Sequence, residues 1–319
     1  MIRLGIVGSA AIAKKLILAM RELSGIEAVA LYSRSYERGE EFCKDTSIRK
    51  IYTDYADFLA SDIDAVYIAT PNTLHDTQAI AAIKAGKHVL CEKIIATSLQ
   101  RLDNMICAAR EAGVVLLEAM RPDFDPATEI IRREVSGLGK IRHASLEYCQ
   151  YSSRYDSFLS GVITNAFDPT LENSALDDIG IYPLHLAINL FSVPKAVSGT
   201  SVLLHNGFDG AGIITLSYPE MLVNVTYSKI TRSVNPCVIT AEEGALIFDR
   251  VNSPTYLKKI DNSGRVTDIA IPYLENNMSY ELSAFVDAIE GKLDFEKYLD
   301  LSRKTLEIHD IYKTVRILT

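Results

Sequence analysis

The sequence predicts an α/β domain with a doubly wound parallel sheet, followed by an α+β domain with a mainly antiparallel open sheet. Two observations support this fold class. Across residues 1–120, short apolar runs alternate with amphipathic helical segments, a pattern typical of strands covered on both faces. From about Gly139, apolar runs follow one another with only turns between them, and residues 222–228 alternate apolar and polar side chains.

The first domain is divided into strands and helices by its apolar runs and helical periodicity. Gly86 and Gly113 follow two of the helical segments, where a left-handed C-terminal cap is expected. The predicted strands are 3–7, 27–32, 65–69, 88–91 and 114–118, and the predicted helices are 12–23, 73–85 and 99–112.

The second domain is predicted to consist mostly of strands. One strong helix at 175–191 interrupts them, and helices at 279–290 and 298–318 close the chain. We place the domains at 1–121 and 122–319, with the helices from about residue 279 as candidates to pack back on the first domain. The predicted strands are 141–149, 196–204, 213–218, 222–228, 237–241, 245–249 and 266–271.

The length and composition exclude several functional classes. The chain has 319 residues, enough for two domains, and its 33 basic and 41 acidic side chains give a net charge of -8. This balance argues against a nucleic acid or an anionic membrane as partner, and no apolar run is long enough to span a membrane. Five widely spaced cysteines without a CxxC pair predict free thiols in the cytoplasm, with no disulfides and no metal site.

The turn after the first strand is a candidate dinucleotide-binding turn. The segment runs from Gly5 to Ala13, and its small residues allow the backbone to approach a pyrophosphate at a helix N-terminus, as in a Rossmann fold. The strict GxGxxG spacing is absent, and ordinary α/β packing is the alternative. The position after the first strand favours cofactor binding. The residues assigned to it are Gly8, Ser9, Ala10, Ala11 and Ile12.

The end of the second strand distinguishes the two nicotinamide cofactors. NAD sites usually place an acidic residue there, whereas a cation suits the 2′-phosphate of NADP. This strand ends in Ser33, Arg34 and Ser35, and no acid follows before Glu37. Arg34 can bind a phosphate through two hydrogen bonds, and the two serines can donate further ones. We therefore predict NADP, with NAD as a possibility and a solvated loop charge as the alternative role of Arg34.

The remaining strand ends supply further candidate site residues, because ligands of open α/β sheets bind beyond the carboxyl ends of the strands. Lys93 could position a substrate hydroxyl there, or could simply pair with Glu92 or Glu118. His75 stands at a helix start and has no predicted catalytic role. We assign Thr70, Pro71, Asn72, His75, Glu92 and Lys93 to cofactor binding and Arg121 to substrate binding.

The lone helix of the second domain carries a polar stripe. Asp178, Tyr182 and His185 are spaced four and three apart and share one helical face, while the other faces are apolar. Polar groups on a buried helix must face something polar, so the stripe is either a site or a satisfied core network.

Four other residues of this helix have local explanations. Gly180 and Pro183 weaken a helix interior, which suggests a geometry kept for another purpose. Ser174 and Asp177 have the spacing of an N-cap and its capping-box partner.

Four segments together resemble the glucose–fructose oxidoreductase/inositol dehydrogenase/MocA family, and the resemblance covers essentially the whole chain. The tyrosine form of the last segment is most similar to the branch with dimeric dihydrodiol dehydrogenases and xylose dehydrogenases, since inositol dehydrogenases carry histidine in place of Tyr182. The segments are Gly5-xx-Gly8 with Ile12-Ala13, Ala69-Thr-Pro-Asn72-xx-His75, Ala85-Gly-Lys-His-Val-Leu-Cys-Glu92-Lys93 and Asp178-x-Gly-x-Tyr182-xx-His185.

The resemblance implies an NADP(H)-dependent oxidoreductase acting on a sugar, polyol or cyclic diol. Lys93 and Tyr182 would be the catalytic pair, with Tyr182 exchanging the hydroxyl proton while hydride passes between the nicotinamide and a carbinol carbon. Asp178 would orient the substrate or Tyr182, and His185 would line the pocket.

One departure from the family pattern concerns the residue after Lys93. The family usually reads Glu-Lys-Pro, whereas this chain has Ile94, for which a cis peptide bond costs about 2.5–4 kcal/mol. We therefore expect the loop to hold Lys93 differently. The substitution supports an alternative function, a non-catalytic NADP-binding regulator. A hydrolase or metalloenzyme lacks the necessary motifs.

The alternation in residues 222–228 also predicts self-association. Val223, Val225 and Tyr227 lie on one face of the predicted strand, and an exposed apolar face of that size is uncommon on monomers. We expect a homodimer or homotetramer formed through this sheet, with helices covering the face as the alternative.

Overall fold

The structure, a computed structural model, describes residues 1–319 as two compact units. The first unit contains residues 1–124 and 275–303, and the second contains residues 125–274 and 304–319. The first boundary therefore lies three residues beyond the position expected from the sequence. Residues 275–303 belong to the first unit, whereas the last sixteen residues belong to the second.

The first unit contains a parallel sheet of six strands. Its strand order is β3-β2-β1-β4-β5-β6, so the order reverses at β1 as in a doubly wound fold. The parallel sheet and all five predicted strands are confirmed, while β3 was missed because it has only three residues. The strands are β1 Ile2–Val7, β2 Ile26–Tyr32, β3 Lys50–Tyr52, β4 Ala65–Ile68, β5 His88–Glu92 and β6 Leu116–Ala119.

Ten α-helices connect and cover the strands. Gly113 ends one of them in the left-handed conformation at φ +66°, and Gly86 has φ +74°, so both expected turns are confirmed. The helices are α1 Ala11–Met20, α2 Tyr36–Cys43, α3 Tyr55–Leu59, α4 His75–Lys84, α5 Leu99–Ala112, α6 Pro126–Ser136, α7 Tyr155–Leu159, α8 Ile181–Phe191, α9 Met278–Ile289 and α10 Glu296–Val315.

The core of the first unit lies between the sheet and the helices that cover it. One of these helices, α9, comes from the C-terminal part of the chain. Leu4 and Ile6 of β1 are fully buried, as is Leu16 of α1. Leu282 and Phe285 of α9 belong to the same apolar cluster. The late helix α9 is therefore part of the first unit.

The second unit contains a sheet of nine strands in the order β14-β13-β12-β11-β7-β10-β9-β8-β15. The pairs β7–β10 and β8–β15 are parallel and the other neighbours are antiparallel, which confirms a mainly antiparallel sheet. The strands are β7 Ile141–Cys149, β8 Ala196–Leu203, β9 Asp209–Ser217, β10 Leu222–Ser228, β11 Cys237–Ala241, β12 Gly244–Phe248, β13 Leu257–Ile260, β14 Val266–Ile269 and β15 Ile317–Leu318.

One face of this sheet is covered by the helical segment 176–191. Val223, Val225 and Tyr227 are completely buried, and a Cβ on Gly180 would lie 2.8 Å from Cγ of the Tyr227 ring. The expected self-association through the face of these three residues is therefore wrong, because the chain's own helix occupies it. The opposite face is open and carries exposed apolar side chains at Val202, Ile213, Leu222 and Ile317.

Three further findings concern membranes, metals and cysteines. No helix of this structure combines the length and the apolar character required to cross a membrane. No three His, Cys, Asp or Glu side chains are arranged to hold a metal ion. All five cysteines are free thiols.

Candidate functional site

The turn between β1 and α1 brings the backbone close to the end of β4. Gly8 has φ +98°, and a Cβ at this position would lie 2.8 Å from the carbonyl oxygen of Ala69. Ala10 precedes the helix without a side-chain capping bond, so no side chain at this cap accepts from the first-turn N–H groups of α1. Ser9, Ala10 and Ala11 are exposed. A glycine cradle beside exposed helix N–H groups fits the pyrophosphate of a dinucleotide.

The loop after β2 leaves its arginine unpaired. The Ser33 hydroxyl donates to the Ser35 carbonyl at 2.9 Å, and Ser35 caps α2 by accepting from the N–H of Arg38 at 3.3 Å. Ser35 also donates to Glu37 at 2.6 Å, which lowers the pKa of that carboxyl. Arg34 is exposed and makes no hydrogen bond or ion pair with the chain. The serines therefore shape the loop, while the guanidinium of Arg34 is available to a ligand.

His75 connects the loop after β4 to the loop after β5. Its ring is 1% exposed, with Nδ1 2.9 Å from the carbonyl oxygen of Ile94 and Nε2 2.9 Å from that of Thr70. Burial lowers the pKa of His75. Both ring nitrogens face backbone carbonyls below the surface, and the assignment of His75 to cofactor binding stays a prediction. His75 supports the two loops that carry Thr70 and Lys93.

The loop of Lys93 is held by buried neighbours. The Lys93–Ile94 peptide bond is cis, although isoleucine was expected to disfavour that form. Ile94 is buried, and its carbonyl oxygen lies 2.9 Å from Nδ1 of His75. Glu118 accepts from the N–H of Ile95 at 3.0 Å and from the hydroxyl of Ser302 at 2.5 Å, which fixes the segment after Lys93.

A buried carboxyl lies close to the same loop. Glu281 of α9 is completely buried, and neither of its carboxyl oxygens has a hydrogen-bond partner. Burial, and then the charge of Glu92, raise the pKa of Glu281 well above its usual range, while Arg121 acts in the opposite direction. Glu92 also accepts a hydrogen bond from the hydroxyl of Tyr67. The proposed substrate role of Arg121 stays a prediction.

In the second unit, the polar helix begins with a wide turn. Residues Leu176–Gly180 form one π-helical turn that continues into α8. Ser174 Oγ accepts from the N–H of Asp177 at 3.0 Å, which confirms the expected cap. The Asp177 carboxylate accepts from the Ser174 hydroxyl at 2.5 Å and lies 2.7 Å from Nε2 of His309 in α10.

The three residues of the polar stripe have different surroundings. Asp178 is partly exposed, Tyr182 is 4% exposed and His185 is completely buried. His185 Nδ1 lies 3.1 Å from the Thr305 hydroxyl of α10. The expectation that His185 lines the substrate pocket stays a prediction. His185 anchors α8 to α10.

Asp178 is held by a buried lysine that the sequence analysis missed. Lys229 Nζ lies 2.9 Å from Asp178 Oδ2 and donates to the carbonyl of Ala166 at 2.7 Å. The same ammonium lies 5.0 Å from the ring centre of Phe167 and 5.4 Å from that of Phe208. Lys229 continues the alternation of buried residues in β10, so a charge at an apolar-face position was the available signal.

Tyr182 packs against a second tyrosine. The ring centres of Tyr182 and Tyr148 are 5.8 Å apart, with 47° between their planes. The Tyr148 hydroxyl donates to Gln150 at 3.4 Å and accepts from Asn252 at 3.5 Å. Tyr148, Gln150 and Asn252 all line a cavity of about 560 Å³ on the second unit. The predicted catalytic phenol is therefore one ring away from a polar cavity.

Both units match models of one protein family. Residues 2–120 match the oxidoreductase family model with an NAD-binding Rossmann fold, and residues 129–247 match the GFO/IDH/MocA C-terminal domain. The chain belongs to the GFO/IDH/MocA oxidoreductase family. This confirms the resemblance drawn from the sequence motifs, the oxidoreductase class and a nicotinamide cofactor.

Curated relatives cover most of the chain. The chain is 40% identical to scyllo-inositol 2-dehydrogenase (NADP(+)) IolU of Bacillus subtilis (strain 168) over 299 residues. The aligned region covers 93% of this chain and 91% of the relative. Over 254 residues it is 30% identical to trans-1,2-dihydrobenzene-1,2-diol dehydrogenase of Danio rerio, covering 77% of this chain and 73% of that protein. These relatives are named as enzymes, which supports catalysis over a purely regulatory role.

Solved structures share the fold. KijD10, a 3-ketoreductase from Actinomadura kijaniata crystallised with NADP and TDP-benzene, gives a TM-score of 0.90 at 21% identity, covering 99% of this chain and 98% of its own. An aldose-aldose oxidoreductase from Caulobacter crescentus gives 0.86 at 21% identity, covering 98% and 97%. At this level of identity the likeness establishes the architecture alone.

Proposed function

We propose that this family member is an NADP(H)-dependent dehydrogenase or reductase acting on a carbinol or carbonyl carbon of a sugar, polyol or cyclic diol. The observation that carries the proposal is the polar stripe of Asp178 and Tyr182, in which Lys229 holds Asp178 and the Tyr182 ring packs on Tyr148. The 40% identity to an NADP(+)-dependent inositol dehydrogenase supports the same class of reaction.

The cofactor would be held by the carboxyl ends of the parallel strands. The glycine cradle at Gly8 suits the pyrophosphate, and the unpaired guanidinium of Arg34 suits a 2′-phosphate, which favours NADP over NAD. The whole proposed set is Gly8, Ser9, Ala10, Ala11, Ile12, Ser33, Arg34, Ser35, Thr70, Pro71, Asn72, His75, Glu92 and Lys93.

The chain's own residues would manage the proton and the position of the substrate. When bound, the nicotinamide exchanges a hydride with the reacting carbon. The Tyr182 phenol exchanges the proton of the substrate hydroxyl, and Lys93 assists it by electrostatic stabilisation. Asp178, fixed by Lys229, orients the substrate or the Tyr182 hydroxyl. Arg121 is the further candidate for a substrate contact.

A substrate panel tests the proposed function. Absorbance of NADPH at saturating NADP⁺ would be followed with scyllo-inositol, aldoses and a trans-dihydrodiol, and turnover of at least one class is expected. A chain that binds NADP tightly, as measured by calorimetry, but turns over none of these substrates in either direction would favour the regulatory alternative.

We also infer a homo-oligomer, a dimer or a tetramer, formed through the open face of the nine-stranded sheet. Large apolar side chains are exposed on this face, with Ile213 and Leu222 each half exposed, and a second copy could bury them. Light scattering at micromolar concentration should report an oligomer that Ile213→Glu dissociates. Val234→Glu, on an exposed loop, should leave the assembly intact, and a monomeric wild-type chain would contradict the inference.

The proposed location is the cytoplasm, because five free thiols suit a reducing compartment.

A further inference from the structure

The cavity beside Tyr148 is bounded by three segments of the second unit. They are the end of β7, the loop at residues 232–235 and the turn at residues 249–252. At about 560 Å³, the cavity has the size of a small-molecule site. No role in the reaction proposed above requires this additional space.

The acidic side chains of the cavity are satisfied within the chain. Glu147 accepts from the Ser233 hydroxyl at 2.5 Å. Asp249 accepts from the N–H and the hydroxyl of Thr255, both at 2.7 Å, and from Arg250 at 3.0 Å. Neither acid therefore needs a cation from outside.

Two hydrogen-bonding side chains of the cavity have no partner. The guanidinium of Arg232 and the side-chain amide of Asn235 make no hydrogen bond or ion pair with the chain. Two acids and two arginines line the cavity, so its formal charge is balanced. Unused donors in a neutral polar cavity suit a ligand with many hydroxyl oxygens better than a strongly charged one.

Tyr148 connects this cavity to the predicted catalytic phenol. Its ring packs 5.8 Å from Tyr182, while its hydroxyl reaches Gln150 and Asn252 inside the cavity through bonds of 3.4 and 3.5 Å. These bonds are long, so a ligand hydroxyl could replace either of them. The aromatic ring also offers an apolar surface to the C–H face of a sugar.

We infer that the cavity is a second sugar subsite, so that the preferred substrate is a glycoside or disaccharide rather than a single ring. The reacting ring lies at Tyr182, and the neighbouring ring occupies the cavity over Tyr148, with its hydroxyls bound by Arg232 and Asn235. This inference rests on the proposed function for the reaction, but the subsite itself is a binding site that can be tested separately.

The test compares glucose with cellobiose and maltose, using NADP⁺ turnover and calorimetric binding on the full chain. At least one disaccharide should exceed glucose in kcat/KM by about tenfold, and Arg232→Ala or Asn235→Ala should reduce that ratio by about tenfold. Arg265→Ala, an exposed arginine outside the cavity, is the matched control and should leave the ratio unchanged.

The two proposals fail in different ways. Turnover of glucose without preference for either disaccharide, and without an effect of Arg232→Ala, overturns the subsite and leaves the dehydrogenase intact. Disaccharide binding that depends on Arg232, without any turnover, supports the subsite and counts against the proposed function. No measurable disaccharide binding to the NADP-loaded protein also overturns the subsite.

Discussion

The ammonium group of Lys229 lies 2.9 Å from a carboxylate oxygen of Asp178, four residues before Tyr182 along the same helical segment. The lysine side chain is only 5% exposed, while that of Asp178 is 41% exposed. A buried cation thus fixes a carboxylate that is partly open to ligand. Lys229 is a positioning residue in this account, because it acts through Asp178.

Replacing Lys229 by methionine should leave Asp178 without its cation. We expect kcat/KM to fall about 10- to 100-fold, mainly through kcat, and the unfolding free energy to fall by about 1–3 kcal/mol. The double variant Lys229→Met/Asp178→Asn should regain part of the stability, because no unpaired charge remains. Steady-state kinetics and urea unfolding measure both effects, with the exposed Lys258→Met as control. Equal destabilisation by the single and the double variant would contradict the pairing.

Arg34→Ala should weaken NADP binding selectively. Loss of the bidentate hydrogen bonds to the 2′-phosphate removes about 1.5–3 kcal/mol of binding free energy. The Kd for NADP should therefore rise about 10- to 100-fold, while the Kd for NAD changes little. Calorimetric titration with both cofactors measures the difference. Arg38→Ala, on an exposed position of α2, is the matched control. An unchanged preference for NADP would assign Arg34 to the solvated surface.

Gly180→Ala should destabilise the packing of the polar helix on the sheet. The added Cβ would lie 2.8 Å from the Tyr227 ring, which is completely buried and whose hydroxyl donates to Asp209 at 3.0 Å. We expect a loss of about 1–3 kcal/mol in unfolding free energy, measured by urea denaturation. Gly137→Ala meets nothing closer than 3.6 Å and should cost far less. Equal effects of the two substitutions would show that the helix relaxes freely.

The buried pair of His309 and Asp177 should make stability depend on pH. Burial disfavours the charged imidazole, but the hydrogen bonds to Asp177 and Asp310 outweigh it and raise the pKa of His309 above its ordinary 6.5. Burial likewise opposes the charged Asp177, but the hydrogen bond and charge of His309 lower its pKa below 3.8. The ion pair therefore stabilises the fold fully between about pH 3.8 and pH 6.5, the ordinary pKa values of the two groups. This stabilisation is lost as the pH rises through the folded pKa of His309, and also as the pH falls through the folded pKa of Asp177.

The test is the difference in unfolding free energy between the wild type and His309→Gln. It should be larger at about pH 6 than at alkaline pH, because the histidine loses its charge as the pH rises through its raised pKa. A difference that grows toward alkaline pH would reverse the sign and contradict the ion pair.

The sequence specifies the parallel sheet well because each buried strand is a continuous apolar run of its own. The sequence also predicts β7, β10 and β11 at their observed limits. The reason is that apolar and polar residues alternate along a strand with only one buried face. Elements of three to five residues, such as β3 and α3, carry too little periodicity to be recognised. The amphipathic helices α2 and α6 were missed as well.

The sequence predicts which residues form the candidate site, but it does not predict the burial and the contacts of those residues. Motif spacing identifies Tyr182 and His185, yet it cannot reveal that the histidine is completely buried and bonded to Thr305 of α10 while Asp178 is partly exposed. The alternation in β10 shows that one face is buried, but not that the chain's own helix buries it. Lys229 and Glu281 are charged residues at apolar-face positions, and that mismatch is the signal that would have found them.

The most direct test of the central claim is the turnover of Tyr182→Phe, measured with the best substrate of the panel and with NADP binding determined on the same protein. The variant keeps the ring that packs on Tyr148 and loses only the hydroxyl. We predict that kcat falls about 10²- to 10⁴-fold while the Kd for NADP is unchanged. Turnover within about tenfold of the wild type would contradict the assignment of Tyr182 as the residue that exchanges the substrate proton.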